Sequence, residues 1–158
     1  MRKLRLYLDT SVWNFFFADD APDKKIATET FFQEVESGKY EIFISEAVRA
    51  EINDAPRDKW EKLDALINKY KPVELEFDDE VKRLADLYVE NEVLAEKNYL
   101  DLLHLAYATV SALNVLVSWN LKHLVKMKTI TLSNNINRAN GYHEIMIFTP
   151  EAVIGYGN

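Results

Sequence analysis

The chain has 158 residues, 48% of them hydrophobic and 12% aromatic, enough to bury one sizeable core and within the range of a single domain spanning 1–158. It has no cysteine, which excludes a disulfide framework, a thiolate metal site and a thiol nucleophile; with no signal-like start and no apolar run near the roughly 18–20 residues of a membrane span, a cytoplasmic protein with no membrane partner is expected. A net charge of −7 and a pI near 5.0 argue against broad non-specific binding to nucleic acid but leave room for a local basic patch.

LRLYL (4–8) is an apolar run that predicts a first strand, and it stops on Asp9, Thr10 and Ser11. Ile26, Ala27, Thr30, Phe31 and Val35 recur at helical spacing within 24–37 before Gly38 ends the pattern. YEIFIS (40–45) is β-branched and aromatic, a second strand, and Ser45 is placed to cap a helix over SEAVRAEIND. Trp60, Leu63, Leu66, Ile67 and Tyr70 predict an amphipathic helix ended by Pro72, and VELEF (73–77) alternates strictly, with Val73, Leu75 and Phe77 on one face. The next helix starts at Asp78 or Asp79 and carries Val81, Leu84, Ala85, Tyr88 and Val89 as a stripe running to about Ala95. YLDLLHLAYATVSALN (99–114) predicts a helix buried on most sides. VLVS (115–118) and EIMIF (144–148) read as continuous apolar strands of the parallel kind, the second just before Pro150. Between them SNNINRANGY (133–142) predicts a helix closed by Asn140-Gly141, with Thr129 to Leu132 also open to a strand reading.

Strands alternating with helices throughout predict an α/β fold of right-handed crossovers, a three-layer α/β/α sandwich around a mainly parallel sheet. Such sheets bind ligands at the carboxyl ends of their strands. Asp9 closes the first strand, Glu51 lies six residues after Ser45, Asp101 opens the alanine-rich helix, and Asn120 follows the VLVSW stretch, so all four reach one edge. In a helix, Glu51 shares a face with Ala47 and Val48, the side that packs rather than the side that is solvated. Several carboxylates buried together lose hydration and repel one another unless a cation joins them. A hard divalent ion such as Mg2+ or Mn2+ answers that need with oxygen ligands and open positions, and it suits phosphodiester hydrolysis.

LYLDTSVWN, ISEAVRAEI, YLDLLHLAYA and LVSWNLKHL, in this order and at these distances, resemble the successive motifs of the PIN-domain ribonucleases, particularly the VapC-type toxins of prokaryotic toxin–antitoxin systems. The resemblance extends nearly to the end of the chain, through NGYHEIMIFTPEAV. It implies a PIN-like nuclease domain that hydrolyses RNA, with Asp9, Glu51 and Asp101 as the core acids and metal ligands and Thr10 or Ser11 supporting them through hydroxyl hydrogen bonds. It also implies a homodimer and a small cognate antitoxin. The family often carries a fourth acid where this chain has Asn120, whose amide can still ligate through oxygen or hydrogen-bond a metal-bound water but withdraws one negative charge.

Each residue also has a plainer use. Asp9 is placed to be a turn acid, Glu51 to pair with Arg49 or Arg57, Asp101 to sit at a helix N-terminus, and Glu46, a rival for the role of Glu51, to complement a helix dipole. His104, alone on an apolar helix, reads as a satisfied core or supporting histidine rather than a general base. LKHLVKMK (121–128) collects Lys122, His123, Lys126 and Lys128, either a solvated face or a hold on an RNA backbone. The aromatics of WNFFFADD read as core or dimer contact before base stacking. Two other functions compete: a phosphoryl-transfer enzyme with Asp9 as nucleophile, which the haloacid-dehalogenase pattern disfavours because Ser11 stands where it wants a second acid, and a catalytically weak or inactive PIN-fold binding protein, which Asn120 makes thinkable.

Overall fold

In the computed structural model, which describes residues 2–157, five strands form one parallel sheet: β1 (Leu4–Leu8), β2 (Tyr40–Ser45), β3 (Val73–Leu75), β4 (Val115–Val117) and β5 (Met146–Phe148). Their spatial order is β3-β2-β1-β4-β5. The helices α1 (Thr10–Phe15), α2 (Pro22–Glu36), α3 (Glu46–Asn53), α4 (Arg57–Tyr70), α5 (Asp79–Glu90), α6 (Tyr99–Val110), α7 (Met127–Ala139) and α8 (Pro150–Val153) connect and flank them.

Neighbouring residues of a strand point to opposite faces, yet Leu6, Tyr7 and Leu8 are all fully buried, so both faces of the sheet are covered. The register pairs Leu4 with Tyr40 and Leu6 with Ile42, which puts these side chains on one face, where Tyr40 stacks on Phe31 of α2 with 5.8 Å between ring centroids. Tyr7 points the other way and meets Tyr107 of α6 at 6.4 Å. The expected α/β sandwich is the fold observed.

Local chemistry sets the ends of the helices. The Ser45 hydroxyl accepts the Ala47 N–H at 3.1 Å, capping α3, and the Asp78 carboxylate accepts the Val81 N–H at 2.9 Å, which decides the start of α5 in favour of Asp78. Pro22 takes the first position of α2, two residues before the helix expected from its apolar stripe. Gly141, at φ +81°, follows the Asn140 cap of α7 in the left-handed conformation.

The stretch after Asp9, to which the sequence pattern assigns no element, is a helix, α1, with Val12 and Trp13 buried and Phe16 packed edge-on against Phe32; six residues are too few to show a helical period. Two expectations are corrected. Helix α5 ends at Glu90 rather than near Ala95, because Glu92 turns into the left-handed region at φ 58° and a short 3-10 turn over Glu96–Asn98 leads into α6. The strand at VELEF shrinks to Val73–Leu75 on the sheet edge, where Val73 and Phe77 remain exposed.

Thr129 to Leu132 belong to α7, so the strand alternative for them fails. The buried face of α7 is polar: Asn134 takes both the C=O and the N–H of Ile145 at 2.8 Å each, and Asn137 accepts the Tyr88 hydroxyl. A helix packed through amides leaves no apolar stripe to read.

The Glu34 carboxylate gathers the Tyr40 hydroxyl at 2.6 Å, Lys39 Nζ at 3.1 Å and the Gly155 N–H, tying α2 to the segment after α8. Partial burial pushes its carboxyl up, but these three donors outweigh that and hold it below its ordinary value. A depressed carboxyl stabilises the fold above its unfolded value near 4.3 and loses that contribution as pH falls through the folded one. Glu34→Gln is therefore expected to cost about 1 kcal/mol at pH 7 in urea unfolding, with the gap from the parent narrowing as the pH is brought below about 4.

Candidate functional site

The sheet changes direction at β1: β2 and β3 lie on one side of it, β4 and β5 on the other. In open parallel sheets, that crevice at the carboxyl ends is where ligands bind. Asp9 and Ser118, the residues that follow β1 and β4, meet there, with the Ser118 hydroxyl donating to Asp9 Oδ2 at 2.5 Å. Asp9 Oδ1 accepts the Ser11 N–H at 3.0 Å and the Ser11 hydroxyl, so the acid also caps α1. The two serines hold the chain leaving β4 as well: Ser11 Oγ accepts the Trp119 N–H and Ser118 Oγ accepts the Asn120 N–H, each at 2.9 Å.

Glu51, half-buried on α3, receives Thr10 Oγ1 at 2.7 Å and His104 Nε2 at 2.6 Å on one carboxylate oxygen. His104 is 2% exposed, and its Nδ1 lies 2.7 Å from the Tyr7 hydroxyl, itself 2.6 Å from Ser45 Oγ. Asp101, in the first turn of α6, accepts Asn120 Nδ2 at 3.2 Å, while Asn120 Oδ1 accepts the His123 N–H at 2.9 Å.

The expected residues are therefore distributed in pairs: Asp9 with Ser11, Glu51 with Thr10, and Asp101 with Asn120. Glu46 lies outside this set, in the first turn of α3, and accepts the Phe77 N–H at 3.1 Å. Lys122, Lys126 and Lys128 are exposed in the turn and helix start that follow Asn120. Two residues that sequence reasoning passed over complete the site, Ser118 and Tyr7. A tyrosine between Leu6 and Leu8 in the buried end of a strand signals itself, since its hydroxyl needs a partner.

A model of the PIN domain matches residues 6–122, most of the chain, including Asp9, Glu51, Asp101, His104, Ser118 and Asn120. The chain belongs to the PIN-domain family. PIN domains are generally nucleases. No curated protein matches the sequence. Among solved structures, eight chains match, and the PIN fold here resembles a chain of VapBC2 from Rickettsia felis bound to a DNA fragment from their promoter. That similarity has a TM-score of 0.56 at 17% identity and covers 92% of this chain and 98% of the other.

The electrostatics of the PIN site turn on His104. Burial opposes its charge, but the bond to Glu51 and the charges of Asp9, Glu51 and Asp101 prevail and raise its pKa above the ordinary histidine value. When charged, the imidazolium donates from both nitrogens, and the Tyr7 hydroxyl then accepts from Nδ1 and donates to Ser45 Oγ. Burial likewise pushes Glu51 up, yet the bond and charge of His104 together with Thr10 bring it below the usual carboxylate range. For Asp9 and Asp101 burial wins, and both are raised despite the attraction of His104.

Two desolvated carboxylates with raised pKa values are a donor set that a hard divalent cation fits, since it replaces the missing hydration. Among the described residues no group of three His, Cys, Asp or Glu side chains is spaced to hold a metal ion. Mg2+ is commonly held through one or two carboxylates with waters and substrate phosphates completing its octahedron, and Asp9 and Asp101 suit that mode.

A raised carboxyl binds its proton more readily in the folded state, so its ionisation opposes folding as pH rises from the unfolded value through the raised one. Asp101→Asn, which keeps an oxygen for the Asn120 amide, is expected to melt on the order of 2–4 °C above the parent at pH 7 in EDTA by scanning calorimetry, with the difference vanishing below about pH 4. Tyr7→Phe leaves His104 Nδ1 and Ser45 Oγ without a shared partner, an expected loss of about 1–3 kcal/mol in urea unfolding at pH 7.

Proposed function

We propose that this chain is a VapC-type ribonuclease that hydrolyses RNA phosphodiester bonds at the Asp9, Glu51 and Asp101 site with Mg2+ or Mn2+. The observation that carries the reading is Asp9 at the crevice between β1 and β4, buried to 4% exposure, clamped by Ser11 and Ser118 and electrostatically coupled to the other two acids through His104. Carboxylates fixed at the sheet's switch point, with desolvation unrelieved at two of them, are what a divalent ion and a phosphate would enter.

A bound divalent ion would activate water and neutralise charge on the phosphodiester. Asp9, Glu51 and Asp101 would hold it, and Asn120 orients Asp101 while contributing no charge of its own. Thr10 and His104 fix the rotamer of Glu51, and Ser11 and Ser118 fix that of Asp9. The lysines after Asn120, Lys122, Lys126 and Lys128, are placed to hold the RNA backbone as it leaves the acids. The likeness to a chain of VapBC2 supports a cognate antitoxin as partner, and a homodimer in the cytoplasm is part of the same proposal. Among the described residues no helix is long and apolar enough to cross a membrane.

One feature favours a second reading, a PIN-fold binding protein without catalysis. Where the family often has an acid, Asn120 turns its amide oxygen to the His123 N–H. The two readings separate on metal and RNA. Purified protein with Mn2+ or Mg2+ is expected to cleave RNA, and Asp9→Ala and Asp101→Ala each to abolish cleavage, a loss of about 100-fold or more, without lowering the melting temperature in EDTA. Activity persisting in both variants would point to a contaminant. Isothermal titration with Mn2+ showing no binding that Asp9→Asn weakens would leave the binding-protein reading.

A further inference from the structure

The geometry points to a second binding site at the opposite edge of the sheet from the acids, a cavity that takes a small aliphatic carboxylate. Leu4, Val115, Met146 and Phe148 share one face of the sheet, since Leu6 pairs with Val115, Val115 with Met146 and Val117 with Phe148. Over β2 that face is covered by α2, but over β4 and β5 the cover is α8, four residues long, and the turn after it. A cavity of about 530 Å3 remains between the sheet and Ala152, Val153 and Tyr156, within the roughly 300–1,000 Å3 of small-molecule sites. Leu4, Val115 and Met146 open their strands, whereas Asp9 and Ser118 follow the ends of theirs, so the length of β1, roughly 13 Å, separates this cavity from the acids.

Met146 and Tyr156, both lining the cavity, are 47% and 50% exposed, so an apolar ligand body lying there covers two large side chains that water now touches. A further cavity of about 270 Å3 adjoins the first, with Leu4, Ala112 and Asn114 common to both, and there the lining turns basic. Arg2 and Lys3 line it, both exposed, and no acid does; among the described residues neither has a carboxylate partner. Arg5 is committed elsewhere, its guanidinium 5.1 Å from the Phe43 ring centroid and 3.7 Å from Glu41.

Asn114 stands where the two cavities meet. Its Oδ1 accepts the Arg5 N–H at 2.8 Å, which leaves the Nδ2 donor without a protein partner. Glu144, paired with Arg138, lines the larger cavity and not the smaller one, so an anionic head is repelled from the first and attracted to the second. A carboxylate set between Asn114 and the two cations, with its aliphatic chain along Leu4, Val115 and Met146, meets both the charge and the apolar wall. The assignment is independent of the ribonuclease reading.

The test titrates the full chain with octanoate, hexanoate, octan-1-ol and octylammonium by calorimetry, below any micelle concentration. Octanoate is expected to saturate a single site and hexanoate to bind about fifteen-fold more weakly, at about four-fold for each buried CH2. Octan-1-ol and octylammonium should bind at least about five-fold more weakly than octanoate, a margin over the alcohol that fades near 1 M salt, where the Debye length is about 3 Å. Ala152→Trp, which fills the larger cavity from the exposed side of α8, is expected to abolish octanoate binding; Arg2→Glu with Lys3→Glu should weaken octanoate and leave octan-1-ol unchanged. Asp9→Ala should bind octanoate as the parent does. The site is overturned by absence of saturable binding, by binding unchanged in Ala152→Trp, or by octanoate and octan-1-ol binding alike at low salt. It is equally overturned if Asp9→Ala loses octanoate, which places the ligand at the acids, or if sedimentation shows a dimer that Ala152→Trp dissociates, which makes a second copy the occupant of this face. Should Ala152→Trp melt well below the parent, the charge-reversed variant decides alone, and octanoate binding unchanged in it overturns the site.

Discussion

The site depends on one buried side chain, His104. Three carboxylates at the end of a low-dielectric sheet repel one another, and in a protein without its metal something must hold them in place. His104 holds Glu51 from α6, its Nε2 on Glu51 and its Nδ1 on the Tyr7 hydroxyl, while the serines hold Asp9 and Asn120 holds Asp101. Through Tyr7 the same chain of bonds reaches Ser45, the residue that caps α3 and so sets where Glu51 stands. One side chain thus links β1, β2, α3 and α6. Its charge and the charges it compensates are mutually dependent, as buried pairs generally are: removing either partner leaves the other uncompensated.

The arrangement divides the acids into two kinds. Glu51 already has a counter-charge and lies low in pKa; Asp9 and Asp101 have donors but no such direct partner and lie high. Asn120 sharpens the division, since it offers Asp101 an N–H and commits its own oxygen to the backbone of His123. An aspartate at that position would have added a fourth negative charge beside a carboxyl that burial already disfavours. The neutral amide lowers repulsion within the site.

Much of this was legible in the sequence. Apolar runs ending on Asp9 and Ser45, and Asp101 and Asn120 bracketing the β4 region, were enough to place the acids on one edge, because in a parallel sheet every strand ends on the same side. The caps were legible too, since Ser45 and Asp78 act through bonds only two or three residues long. What escaped was set by distant contacts. Ser118 matters because β4 lies beside β1, a pairing across 109 residues that no local pattern carries. Helix α7 hid its packed face because that face is made of Thr129, Ser133, Asn134 and Asn137, which a hydrophobic period does not register. Helix α1 was too short to have a period at all.

The clamp on Asp9 has a temporal side. Its two serines come from positions 11 and 118, and the histidine that steadies Glu51 comes from position 104, so none of the site is local except the cap. Closing contacts of that sequence separation is slow and comes late in folding. While the chain is being synthesised, Asp9 emerges early but has no Ser118 to hold it and no His104 to balance its neighbours. The acids are therefore an unpaired, solvated set until β4 docks beside β1, and the crevice forms only as the sheet's central pairing is completed. Until β4 pairs with β1, Asp9 lacks the Ser118 half of its clamp and the crevice has only one of its two walls.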